Sequence, residues 1–113
     1  MTDPKDWKAN RAKWVEALRD PSRKQVTGTL GHQECGGQCC LGVLAEVAGC
    51  EYMSYGRWDN QSGLAPQRAV EFVGLNSAKG LYRRSSLADD NDRGMSLAQI
   101  ADIIESEPKG LFR

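Results

Sequence analysis

A net charge is missing from this chain. Its 113 residues hold fifteen Lys and Arg against fifteen Asp and Glu, which leaves a formal charge of zero at pH 7. A domain that wraps duplex DNA gains affinity by neutralising phosphates and carries a basic excess. Strong nucleic-acid binding is therefore not expected. Long apolar runs are missing too. No segment approaches the ~18 apolar residues of a membrane span. No apolar run follows Met1 to Asp6, so the start does not read as a secretory signal. The expectation is a cytoplasmic protein with no membrane partner. There is no Walker A loop, dinucleotide glycine fingerprint or zinc-protease histidine pair, and no cofactor is expected. Internal repeats and long linkers are absent as well.

What is present fits one domain spanning residues 1–113. The chain is 40% apolar and 27% charged, and its length allows one modest core. Its charges are uneven. Residues 1–34 contain seven basic and five acidic side chains, whereas 85–107 contain six acidic and one basic. Two solvated helix faces explain this simply. A partner surface of one sign is the sharper reading.

Four helices are predicted. The first covers about 4–19, capped by Asp3, with Pro4 at its first position and Pro21 beyond its end. Trp7, Trp14, Val15 and Leu18 make its apolar face. The second covers 39–48 and stops at Gly49. Cys40, Leu41, Val43, Leu44, Val47 and Ala48 leave it almost no polar face, which marks it as the buried central helix. The third runs from Pro66 to Phe72 or Val73, and Gly74 closes it. The fourth follows Ser96-Leu-Ala-Gln99, which has the spacing of a capping box. Leu97, Ile100, Ala101, Ile103 and Ile104 form its buried face. Pro108 and Gly110 stop it, and Leu111 and Phe112 are expected to fold back on the core. Residues 25–30 alternate as a short strand or extended arm, and 51–63 read as a short hairpin or ordered loop with turn chemistry at 59–63. Residues 76–84 read as loop, Leu87 as the start of a short turn, and 91–94 as a turn. The fold class expected is mainly α. It is a compact four-helix domain around helix 39–48, with a small two-stranded element near 25–30 and 51–58. The other three helices pack on the central one.

Four cysteines in a chain of this kind default to thiols or metal ligands. His32, Cys35, Cys39 and Cys50 could supply four tetrahedral zinc ligands. Their spacing matches no standard pair, and Cys39 and Cys40 would point about 100° apart on a helix. A nucleophile is the second reading. Cys39 at a helix N-terminus would have a lowered pKa, with His32 as its base. The bland alternative is small apolar filler. Asp89, Asp90 and Asp92 do not make a calcium loop, because Ile100 stands at the twelfth position where a Glu is needed. Arg83 and Arg84 beside Tyr82 could contact phosphate and stack a base. A solvated loop is the simpler explanation.

Several motifs occur together in order. Lys13-Trp14-Val15-Glu16-Ala17-Leu18-Arg19 precedes Gln25 and Leu30. Cys39-Cys40-Leu41-Gly42-Val43-Leu44 follows. Then come Asn91-Asp92-x-Gly94-x-Ser96 and Ile100-Ala101-Asp102-Ile103-Ile104-Glu105. Over about residues 13–105 this resembles a family of small phage and prophage proteins without an assigned activity. The resemblance implies an origin and brings no catalytic residues. His32, Cys35 and Cys50 lie outside the family pattern, and Gln25, Asn91 and Asp92 lie inside it. These three are polar residues that core packing does not demand. They either build a buried hydrogen-bond network against the central helix or line a site.

The leading functional expectation is a non-catalytic phage accessory protein. It would bind and inhibit or sequester a host factor in the host cytoplasm, as a counter-defence protein. The second is a nucleotide or small-molecule sponge. There Gln25, Asn91, Asp92 and Arg83 or Arg84 give polar contacts, and Trp58 or Tyr55 stacks. The partner would then be a signalling nucleotide, held in a pocket between protomers of a homodimer. The third is a small cysteine enzyme, or a zinc-stabilised module.

Overall fold

The computed structural model describes residues 7–21, 23–25, 31–32, 37–53, 57–58, 65–82 and 85–112, and these hold five helices and three small β elements. The class is mainly α. Helix α1 spans Trp7–Leu18 and buries Asn10, Trp14, Val15 and Leu18. The expected cap at Asp3 and Pro4 lies outside the described residues. Two short strands, β1 (Lys24–Gln25) and β2 (Gly31–His32), flank β3 (Gly37–Gln38). β1 runs parallel to β3 and β2 runs antiparallel to it.

Helix α2 spans Cys40–Val47 and is the buried centre. Cys40, Leu41, Val43, Leu44 and Ala45 are completely buried. Trp14 sits against its first turn, and the indole Nε1 donates to the Cys40 carbonyl at 3.1 Å. Strands β4 (Tyr52–Met53) and β5 (Arg57–Trp58) pair with each other. Gln25 pairs with Gln38 instead. The strands near 25 and near 51–58 thus find separate partners among the described residues. Helix α3 spans Gln67–Val73 and ends at Gly74, whose φ is +71°. A Cβ there would lie 2.3 Å from the Trp7 ring, so the position serves both the left-handed turn and the close approach of α1.

The segment from 76 to 94 corrects the sequence reading. Leu81–Tyr82 (β6) pairs antiparallel with Ser85–Ser86 (β7), where a loop was expected. The chain then enters α4, Leu87–Asp92, where a turn was expected. The Ser86 hydroxyl accepts from the Asp89 amide at 3.1 Å. Asp89 and Asp90 occupy the first turn, where the helix dipole favours negative charge. Asn91 and Asp92 are thus the last helical residues before the Gly94 turn. The final helix, α5, spans Leu97–Ser106 with the full capping box. Gln99 N donates to Ser96 Oγ at 3.1 Å, and Ser96 N donates to Gln99 Oε1 at 2.9 Å. α5 lies along α1 and against α4, not chiefly on α2 as expected. The tail does fold back. Leu111 is completely buried, and its carbonyl accepts from the Asn76 amide at 2.9 Å. No helix among the described residues is long and apolar enough to cross a membrane.

Candidate functional site

β1 delivers Gln25 to the end of α4. Its Nε2 donates to Asn91 Oδ1 at 2.8 Å and to the Met95 carbonyl at 2.7 Å. The same Asn91 oxygen accepts the Cys40 amide at 3.2 Å. That amide opens α2 and has no partner inside its own helix. Asn91 is completely buried. One side-chain oxygen therefore joins β1, α2 and α4. The Cys40 thiol adds a weak contact to the Leu87 carbonyl at 3.5 Å. Asp92, one residue on, is exposed.

The thiols face the same junction. Cys39 is the N-cap of α2, and its sulfur accepts from Gly42 N at 3.4 Å. Burial pushes the Cys39 thiol pKa up, and the helix-start amides only partly oppose it. Cys40 is pushed well up, first by burial and then by its neighbour Cys39. The expected lowering at Cys39 is overturned. Removing water around a thiolate costs more here than the helix terminus returns. Cys50 is buried. His32 sits in β2 with its side chain outside the described part, and Cys35 lies outside the described residues. Among the described residues no group of three or more His, Cys, Asp or Glu is placed to hold an ion.

Asp90, on the adjacent side of α4, is nearly buried at 5% exposure. It accepts from the Tyr82 hydroxyl, and from Ser85 Oγ at 2.9 Å. Burial and the facing carboxylate push the Tyr82 phenol up to about 12. These bonds fasten the β6–β7 hairpin to α4.

A second polar junction was not read from the sequence. Asn10 Nδ2 donates to the Phe72 carbonyl at 2.7 Å, and Arg11 Nε donates to the Val73 carbonyl at 2.8 Å. Both acceptors lie in the last turn of α3, where carbonyls lack helical partners. The Arg11 guanidinium stands 3.8 Å from the Phe112 ring centre and 5.8 Å from that of Trp7. It also pairs with Glu107 at 3.0 Å. Burial lowers the Arg11 pKa, and Glu107 acts the other way. The signal available in the sequence was two polar residues beside the apolar stripe of α1, which looks the same as solvated surface.

Beyond this junction a groove of about 930 Å³ runs between α1 and the end of α5. Val15 and Ile104 form its floor. Arg19, which also lines it, pairs with Asp102 at 2.7 Å and with Glu105.

A family model described as a domain of unknown function, DUF8296, matches residues 8–108. The chain belongs to this family. The DUF8296 span takes in the whole Gln25–Asn91–Cys40 junction, all but the first residue of α1, and all of α5. It stops before Leu111 and Phe112, so the Phe112 side of the Arg11 clamp falls outside the matched region. No curated protein and no solved structure matches the chain.

Of the residues that the sequence suggests for a ligand site, Gln25 and Asn91 meet, at the buried side chain of Asn91. Asp92 neighbours them on the surface. Trp58 is in β5, with its side chain outside the described part. Tyr55, Arg83 and Arg84 lie outside the described residues.

Proposed function

We propose that this protein works by binding, as a non-catalytic accessory protein of a phage. It inhibits or sequesters a host factor in the host cytoplasm and serves counter-defence. The observation that carries this reading is the use made of its reactive-looking groups. Asn91 and Gln25 satisfy each other and a helix-start amide inside the fold. Cys39 is a buried cap whose pKa is raised, which disfavours the thiolate a nucleophile needs. The motif resemblance to phage and prophage proteins supplies the origin. A nucleotide sponge would have to manage without the Asn91 side chain, because that side chain is completely buried.

Affinity capture tests this. Tagged protein expressed in a bacterial host should retain one host protein at fixed stoichiometry, and the two purified chains should re-form the complex. Equilibrium dialysis against a panel of nucleotides should show no retention. Nucleotide retention without a protein partner would replace this reading with the sponge.

A further inference from the structure

The α1/α5 groove carries charge of both signs along α1. Lys8, Ala12 and Glu16 are spaced four residues apart, are all exposed, and all line it. Lys13, three residues before Glu16, adds a second exposed cation next to Ala12. The other charges on the groove are largely matched within the chain. Arg11 holds Glu107, and Arg19 holds Asp102 and Glu105. Lys8 and Glu16 enter none of the ion pairs among the described residues. They stand about 12 Å apart along the helix, at 1.5 Å per residue, too far to meet each other.

We infer that the occupant of this groove is a second copy of the chain. Two α1 helices laid antiparallel about a two-fold axis at Ala12 bring each Lys8 onto the other copy's Glu16. The axis makes this happen twice, since a two-fold interface uses one patch against itself. Ala12 faces its own symmetry mate, and a methyl side chain lets the helices approach. The complement that the groove requires is thus encoded on the groove itself, at the correct spacing. The contact is one helix of 12 residues, small for a stable dimer. Association is therefore weak and weakened further by salt, which screens exposed charges.

Sedimentation equilibrium of the full chain at low ionic strength tests this. The mass should rise from 12.4 kDa towards twice that value with concentration. Lys8→Glu and Glu16→Lys each turn two attractions into two repulsions and should each raise the dimer dissociation constant about tenfold or more. Mixing the two variants should restore association, because each copy then supplies the charge the other lacks. The double variant should pair with itself. Circular dichroism checks that each variant keeps its helices. A mass of one chain at every concentration overturns the inference. So does a dimer indifferent to both single changes, or a mixture that stays monomeric.

Discussion

Asn91 shows how a single residue can bind three elements at once. Its Oδ1 accepts from Gln25 and from the Cys40 amide in the interior. Asn91→Ala leaves the buried Cys40 amide without this acceptor and leaves Gln25 Nε2 with the Met95 carbonyl alone of the two. A buried orphan costs about 1–3 kcal/mol, and chemical denaturation should show a loss of at least that size. Tyr82 gives a pH prediction. Its phenol titrates at about 12 in the fold, against about 10 in an unfolded chain. Between those values the unfolded chain releases the proton and the folded chain keeps it. The stability this adds is complete below pH ~10 and is lost as pH rises through the folded value. Absorbance titration should reveal a late-ionising tyrosine, and Tyr82→Phe should remove it. Gln25 and Asn91 were legible in the sequence as polar residues without a packing reason. Asn10 and Arg11 were not, because their acceptors are backbone carbonyls sixty-two residues away, and no local pattern encodes those.

At the scale of elements, local signals decided what could be read. α2 was legible because nearly every position is apolar. α5 was legible because the Ser96–Gln99 box sits just before a helical apolar stripe. α4 was missed although Ser86-x-x-Asp89 carries a similar start signal. Six residues with two adjacent aspartates look like a turn when no apolar stripe follows. The two serines should have comparable effects. Ser96→Ala and Ser86→Ala should each cost about 1 kcal/mol in thermal or chemical unfolding. The Ser86 change should also loosen the hairpin, because Ser86 is itself in β7. Gly74→Ala should be worse. It adds left-handed strain and drives a Cβ into the Trp7 ring. The two effects together amount to about 2–4 kcal/mol. No change at Gly74 would mean that α1 does not rest on the end of α3.

At the scale of the whole molecule, the fold sorts its groups by burial. The radius of gyration is 12.5 Å, close to that of a compact chain of this length. Leucines, isoleucines and Trp14 fill the centre, and cysteines fill the gaps between them. Polar side chains in the interior hold helix ends or join elements. The charged residues left outside set how the molecule meets others. Mass spectrometry of thiol alkylation, mapped residue by residue in the native protein at neutral pH, tests this arrangement most directly. Cys39 and Cys40 should stay unmodified until denaturant is added, and then react together. Rapid labelling of either without denaturant would contradict it.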